Sequence, residues 1–266
     1  MAERDFAVLP GWHQAPSIEP PVLADLVNIQ QVLAVFIMTF PALFAKSTLA
    51  FFDVPFPIVM CSDRERMCAP GIMYDNVIMP MAVADFYQTL RLQDSNIRYR
   101  IVGIQRDIND TNAVTHANVL IIDVQQRVVE WFEPYGTYLD EQYVLEELHY
   151  LFAGFTIVPA TLLCPQGLGP QAHLAAHVGD GYCVLFTAWF LVYRLLYSWL
   201  TAPMILRRMM VGTPQDMWRF MLKFYGFIQY LFYNNKEAFV DNKTVQYCAL
   251  HPLMDLDVNY NINRTY

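Results

Sequence analysis

The stretch THANVLIIDVQQRVVEWFEPYG, residues Thr115–Gly136, decides the fold. It holds two apolar runs, HANVLIID and RVVEWFE, on either side of a polar break around Gln125 and Gln126. This pattern is typical of a β-hairpin. Apolar residues alternate onto both faces of each run, so we predict that the hairpin lies inside a sheet, covered on both sides. His116 and Glu133, at its open end, are then polar exceptions.

The hairpin register decides whether His116 and Glu133 meet. A turn of about two to four residues at the break pairs residues whose numbers sum to about 249. His116 would then lie opposite Glu133, with Cβ atoms about 4.5–5.5 Å apart, close enough for a carboxylate–imidazole hydrogen bond. Such a pair is either structural or orients a catalytic histidine. Asp123 lies near the turn and would replace Glu133 only in a different hairpin.

Cys183 is the candidate nucleophile. It follows a Gly-Asp-Gly turn and opens the apolar stretch CVLFTAWFLVYRLL, which predicts a long buried helix. The positive end of a helix dipole favours thiolate over thiol, and Gly179 and Gly181 would let a substrate backbone approach. The alternative is that Cys183 only packs in the core, as most cysteines do. The other four cysteines are expected to be structural.

Acyl transfer also needs a donor for the developing oxyanion. The segment CPQGLGPQAH supplies Gln166 and Gln171 upstream of Cys183. Gln171 is nearer to the cysteine, and we therefore predict it as the donor. A glutamine in a loop is otherwise most often just solvated, so this assignment depends on His116 and Cys183.

The order of elements predicts an α+β fold, in which a mixed β-sheet packs against a buried central helix that carries the nucleophile. Additional helices lie at the N- and C-terminal ends. We expect two parts: an N-terminal helical accessory, substrate or docking region (1–95) and a catalytic domain (96–266). The predicted elements are an extended arm (1–22), a helix (23–50), a strand (Ile97–Ile104), a helix (138–153), a strand within FTIVPATLL (155–163), a loop (Cys164–Gly181) and the helix from Cys183.

Composition limits the function. The chain has 266 residues, a net charge of −8 and 55% hydrophobic residues, so a large core is available and a nucleic-acid partner is not favoured. The five cysteines show no zinc-like pairing and no secretory signal opens the chain, which favours a reducing, intracellular setting. We expect no cofactor.

Membrane contact and metal binding are the remaining alternatives. The segment Leu26–Ala45 (residues 26–45) carries no charge and is about long enough to span a bilayer. Asn28 and Pro41 within it favour a buried helix in the protein core instead. Membrane contact through this segment is therefore possible but not favoured. His173 and His177 have a metal-ligand spacing if helical, but the predicted loop and the lack of further ligands argue against zinc.

Together, HANVLIID, EWFEPYG, CPQGLGPQ and GYCVLFTAWFLVYRL resemble the motifs of the adenovirus proteinase and the ubiquitin-like-protein proteases, which are cysteine peptidases, and especially of their relatives in large DNA viruses. The resemblance covers about residues 98–200. It implies that His116 is the general base, Glu133 its orienting acid, Cys183 the nucleophile and Gln171 the oxyanion donor. The interval from Gln171 to Cys183 is longer than in the better-known members.

The resemblance implies a cysteine endopeptidase, or a peptidase acting on ubiquitin-like conjugates, in a virion or in host cytoplasm. Its partners would be protein substrates such as viral precursors or host modifier tails. The alternative from another class is a catalytically silent virion-assembly protein that keeps the protease fold. An acyltransferase built on the same residues is a third possibility.

Overall fold

A mixed sheet with helices packed on it forms the centre of the protein. The structure is a computed structural model that describes residues 9–17, 32–33, 35–36, 39–40, 49–51, 58–60, 71–74, 77–80, 98–106, 118–136, 141–164, 168–178 and 182–235. The strands are β1 (Leu49–Phe51), β2 (Ile58–Met60), β3 (Gly71–Tyr74), β4 (Val77–Pro80), β5 (Tyr99–Arg106), β6 (Asn118–Asp123), β7 (Val128–Phe132) and β8 (Thr156–Val158). The helices are α1 (Glu141–Leu151), α2 (Ala160–Leu163), α3 (Pro170–Val178), α4 (Cys183–Leu196), α5 (Ala202–Met209) and α6 (Pro214–Asn234).

The sheet contains both parallel and antiparallel pairs. Its order is β4-β3-β2-β5-β6-β7-β8, and β1 also pairs with β5. The pairs β5–β6 and β6–β7 are antiparallel, whereas β8 is parallel to β7 and both β1 and β2 are parallel to β5. The predicted α+β class with a mixed sheet is therefore confirmed.

The hairpin of β6 and β7 lies inside the sheet, as predicted, and all of β6 is buried. Its register differs from the prediction. Paired residue numbers sum to 251 rather than 249, as in Val119 and Phe132. The turn covers residues 124–127, because Arg127 adopts a left-handed conformation (φ 55°) and the Asp123 side chain accepts a hydrogen bond from the Gln126 N–H. The predicted register, with a sum of 249, was therefore wrong, and His116 itself lies outside the described residues. The residue level with Glu133 is Asn118.

Helix α4 is buried along its length, as its apolar sequence predicts. All but one of its residues from Cys183 to Leu195 are buried. The Phe190 ring stacks on the Phe132 ring of β7, with centroids 4.0 Å apart. This contact seats the helix directly on the hairpin.

One helical turn later, an ion pair joins α4 to the same strand. Arg194 donates to both carboxylate oxygens of Glu130, at 2.9 and 3.2 Å. The two residues are only 6% and 9% exposed. Burial opposes the charge of Arg194, but the adjacent Glu130 carboxylate outweighs it, so the pKa of Arg194 is raised above its ordinary value. The pair thus keeps a charge inside the core by matching it.

Several predicted elements differ from the structure. The predicted loop Cys164–Gly181 contains helix α3. The predicted strand at 155–163 ends at Val158 and is followed by α2, because Pro159 precedes the helix. The predicted helix 23–50 is helical at residues 32, 33, 35, 36 and 39, but Leu49 already begins β1. Residues 9–15 of the predicted extended arm form turns.

Segments from the N-terminal third contact the rest of the protein. The Trp12 ring packs on Phe220 and Phe227 of α6, with centroids 5.7 and 5.2 Å apart. Phe36 packs on Phe224 of the same helix. Strands β1 to β4 belong to the same sheet as β5, and the sequence analysis assigned no strand to residues 1–95. The boundary at 95/96 stays a prediction.

Most of residues 26–45 lie outside the described part, but Val32, Leu33, Val35 and Phe36 are buried. Within the described ranges, none of the helices combines the length and the apolar character that crossing a bilayer requires.

Breaking the Glu130–Arg194 pair should be costly. We expect Arg194→Met to lower the free energy of unfolding by about 3–5 kcal/mol, because it leaves a buried carboxylate without its partner. The double variant Glu130→Leu/Arg194→Met should recover most of this loss, since no charge then remains buried. Urea denaturation followed by tryptophan fluorescence measures both.

The matched control is Arg98→Met. Arg98 also binds a carboxylate, that of Asp123 at 3.0 Å, but its side chain is 25% exposed. Its loss should cost about 1 kcal/mol, because Arg98 is partly solvated and the buried Asp123 carboxylate keeps the hydrogen bond from the Gln126 N–H. Equal losses in Arg98→Met and Arg194→Met would contradict the distinction.

Candidate active site

Glu133 directly follows β7 and is held by two donors. Its Oε1 accepts from the backbone N–H of Tyr135 at 3.0 Å, and its Oε2 accepts from the Asn118 side-chain amide at 3.3 Å. The residue is 1% exposed. Pro134 and Gly136 turn the chain here, and the Gly136 N–H donates to the Glu133 carbonyl. The carboxylate is therefore fixed in one orientation at the end of the strand.

The turn after Glu133 crosses the segment that precedes α3, and the two backbones are in direct contact. The Gly169 N–H donates to the Tyr135 carbonyl at 2.7 Å, and the Gln171 N–H donates to the Pro134 carbonyl at 2.9 Å. A Cβ at Gly136 would overlap the backbone of Gly169, and one at Gly169 would overlap the backbone of Pro134. Glycine is required at both positions, and the crossing ties Glu133 to Gln171.

Gln171 is the second residue of α3, not a loop residue as predicted. It is 2% exposed, so it is not a solvated side chain. Its Nε2 donates to the Tyr135 hydroxyl at 3.3 Å. Its Oε1 is buried and accepts no hydrogen bond from the described residues. One end of a buried amide is thus held while the other lacks a protein partner, which is unusual for a purely structural glutamine.

Cys183 is the first residue of α4 and is 4% exposed. The preceding residue, Tyr182, is at the N-cap position of the helix, and its side chain makes no capping hydrogen bond. Its ring packs on Trp218 of α6. Neither Cys183 nor Cys164, the two cysteines within the described ranges, forms a disulfide. The sulfur is therefore a thiol at the positive end of a buried helix, where the dipole favours the thiolate.

Helix α4 carries Cys183 to the same end of the sheet as Glu133. The helix runs opposite to β7, because Phe190 lies on Phe132 and Arg194 on Glu130. The four residues from Phe190 to Arg194 advance the helix by about 6 Å, and the two residues from Phe132 to Glu130 span about 6.6 Å of strand. The two contacts therefore have matching spacing along the helix and along the strand. Seven residues back from Phe190, about 10 Å, the helix reaches Cys183 beyond the end of β7. Thiol, carboxylate and amide therefore share one edge of the protein.

Two residues of this site were missed by sequence reasoning. Asn118 and Tyr135 hold the Glu133 carboxylate, and Tyr135 also contacts the Gln171 amide. The only sequence signal for Tyr135 is its place in the Pro-Tyr-Gly turn. The corrected register, set by the turn at 124–127, would have identified Asn118.

Other predicted residues lie elsewhere or outside the described part. His116, Gln166, Gly179 and Gly181 fall outside it. Asp123, the alternative acid, lies at the hairpin turn and binds Arg98. His173 and His177 are on helix α3 rather than in a loop, and no three metal-ligating side chains come together in the part of the chain that the structure describes.

Sequence comparison relates part of the chain to a viral protein. No protein-family model matches the chain. A protein of Acanthamoeba polyphaga mimivirus that carries the name ankyrin repeat protein L371 is 25% identical over 152 residues, which covers 47% of this chain. The match spans about a fifth of that protein, 19% of its length.

Structural comparison finds proteins of Chlamydia trachomatis. Two structures of ChlaDUB1, named as an effector protein in one of them, superpose with TM-scores of 0.47 and 0.45 at 11% identity, covering 79% and 80% of this chain and 85% and 96% of theirs. The effector protein Cdu1 bound to ubiquitin superposes with a TM-score of 0.37 at 12% identity, covering 89% of this chain and 90% of that one.

Replacing Gly136 by alanine should disrupt the crossing. Gly136 has φ of +80° and its Cβ would meet backbone, which does not move aside. We expect Gly136→Ala to lower the free energy of unfolding by about 3 kcal/mol or more, from left-handed strain of about 1–2 kcal/mol plus the overlap. Urea denaturation measures the loss.

Gly154→Ala is the matched control. Gly154 also has φ of +80°, but its Cβ would meet only the end of the Arg127 side chain, at 2.8 Å. Its replacement should cost about 1–2 kcal/mol, the left-handed strain alone. Gly169→Ala, which has the overlap without the strain, should lie between the two. If all three losses were equal, the crossing would not be the cause.

Proposed function

We propose that the protein is a cysteine peptidase with Cys183 as nucleophile, His116 as general base, Glu133 as orienting acid and Gln171 as oxyanion donor. The observation that supports the proposal is that three groups lie toward the same end of the sheet. A thiol at a helix N-terminus, a carboxylate held by two donors and a buried amide with one end unpartnered are the parts of such a site.

The place of His116 in the chain supports its role. His116 precedes Asn118 by two residues, so covalent geometry keeps their Cα atoms within about 7 Å. The Asn118 side chain itself contacts Glu133 at 3.3 Å. The short connection to Asn118 would thus keep the histidine near the carboxylate. The carboxylate would accept from one ring nitrogen and leave the other for the thiol.

The proposed reaction has two halves. His116 takes the proton from the Cys183 thiol, and the thiolate attacks the scissile carbonyl carbon. Gln171 and the N–H of Cys183 stabilise the oxyanion. When the intermediate collapses, the C–N bond breaks and the amine leaves with the proton from the imidazolium. Water then attacks the thioester, giving its proton to His116, and collapse releases the acid while the proton returns to the sulfur.

The substrates we propose are proteins, either viral precursors or ubiquitin-like conjugates, as the motifs of the sequence imply. The match to a mimivirus protein supports a viral setting, in a virion or host cytoplasm, where a reducing environment keeps Cys183 as a thiol. Helix α4 and the Gly136–Gly169 crossing give the rigid support that such a site needs.

Cys183 should react far faster than an ordinary thiol. We expect iodoacetamide to label it selectively near pH 7, below the ordinary thiol pKa of about 8.5, because the helix dipole and the imidazolium favour the thiolate. His116→Ala should remove this selectivity. Peptide mass spectrometry after timed labelling measures the rate at each cysteine. Cys164, which is 2% exposed and not at a helix start, is the internal control.

Turnover of a peptide library gives the second test. Cys183→Ala should reduce it by on the order of 10⁴-fold or more, because no other group supplies the nucleophile. Cys164→Ala should leave most of it. Cleavage that survives Cys183→Ala would eliminate the proposal. Labelling no faster than that of a model thiol, with no turnover, would support a silent assembly protein instead. Transfer to an added amine in preference to water would identify an acyltransferase.

A further inference from the structure

Tyr135 contacts two polar groups of the candidate site, the Glu133 carboxylate and the Gln171 amide. Its backbone N–H donates to Glu133 Oε1 at 3.0 Å, and its carbonyl accepts from Gly169 at 2.7 Å. Its hydroxyl lies 3.3 Å from Gln171 Nε2. The first two contacts belong to the backbone and would exist with any residue. Only the third requires a tyrosine rather than a phenylalanine.

The Gln171 amide can use this hydroxyl in two ways. A hydroxyl both donates and accepts, and the two ends of a carboxamide have almost the same shape. In the orientation seen, Nε2 donates to Tyr135 and the buried Oε1 accepts nothing from the described residues. If the amide rotates by 180° about its bond to the side chain, Oε1 accepts from the Tyr135 hydroxyl. Nε2 then occupies the position that Oε1 held before. The acceptor is then satisfied, and both N–H groups are available to an anion.

An oxyanion needs the second orientation. A carbonyl oxygen facing the developing negative charge would repel it, whereas an N–H would stabilise it. Because Gln171 is 2% exposed, water cannot readily compensate for the wrong orientation. A hydroxyl that hydrogen-bonds either end of the amide, and that donates to Oε1 when an oxyanion forms, would remove this difficulty.

We propose that Tyr135 is a positioning residue whose hydroxyl donates a hydrogen bond to Gln171 Oε1 and thereby presents Nε2 to the oxyanion. The inference rests on the proposed peptidase function and adds to it a residue that does not itself touch the substrate. In this proposal the hydroxyl acts on the oxyanion through the amide. Its effect should therefore appear in the transition state and not in formation of the thiolate.

Tyr135→Phe tests this directly. It removes one hydroxyl and keeps the backbone contacts to Glu133 and Gly169. We expect kcat to fall by about tenfold with KM changed less than about twofold, since the lost interaction acts only on the transition state. The rate at which iodoacetamide labels Cys183 should stay as in the original protein. Tyr150→Phe, which removes a hydroxyl from a residue 62% exposed on α1, should change none of these values.

A double-mutant cycle separates orientation from general disturbance. In a Gln171→Ala background, Tyr135→Phe should have no further effect on kcat, because the amide on which it acts is gone. Gln171→Glu is a second variant that keeps an acceptor for the hydroxyl but, when ionised, has no N–H, so it should be as inactive as Gln171→Ala; burial of its carboxylate should lower its stability. Thermal unfolding checks that each variant is folded.

Each outcome has one meaning. An unchanged kcat in Tyr135→Phe, or effects of Tyr135→Phe and Gln171→Ala that multiply in the double variant, overturns the inference and leaves the peptidase function standing. Slower labelling of Cys183 in Tyr135→Phe also overturns it, since the hydroxyl would then act on the thiolate. If the original protein shows no turnover that depends on Cys183, the peptidase function and the inference are both overturned.

Discussion

The backbone crossing of Gly136 and Gly169 is the constraint on which the candidate site depends. Two hydrogen bonds join the turn after β7 to the chain that enters α3, and the glycines let the two backbones come close enough to form them. Glu133 lies on one side of this crossing and Gln171 on the other. An acid and an amide from segments 38 positions apart are thus set relative to each other by main-chain geometry, which side-chain motion does not disturb.

The nucleophile is placed by a different device. Helix α4 is seated on β7 by an aromatic stack and a charged hydrogen-bonded pair, one helical turn apart. The stack alone would let the helix slide or rotate, because apolar contacts are non-directional. The ion pair has a direction and two bonds, and it fixes the position of the helix along the strand. Burial of such a pair adds little net stability, so its value here lies in the position that it specifies.

The parts of the fold that could be predicted are those with a strong local pattern. The buried hairpin and the apolar helix from Cys183 follow from alternation and from an unbroken apolar run. Helix α3 was missed because its glycine- and proline-flanked sequence has loop character, while Pro170 is tolerated as the first residue of a helix. Strands β1 to β4 are three or four residues long, too short to give a periodic signal.

The hairpin was predicted but its register was not, because Arg127 adopts a conformation that a residue other than glycine rarely takes. The same shift hid Asn118, and the contacts of Tyr135 depend on the crossing, which joins segments far apart in sequence. The roles of His116, Glu133, Gln171 and Cys183 stay predictions.

The contact between Tyr182 and Trp218 has a consequence for the order of folding. The ring next to the nucleophile is held by a residue of α6, and α6 is in turn covered by Trp12 from near the start of the chain. Loop closure over such distances is slow compared with local helix formation. During synthesis the surroundings of Cys183 are therefore completed only after α6 has left the ribosome. A nascent chain that ends before Trp218 lacks the ring that packs on Tyr182, next to the nucleophile.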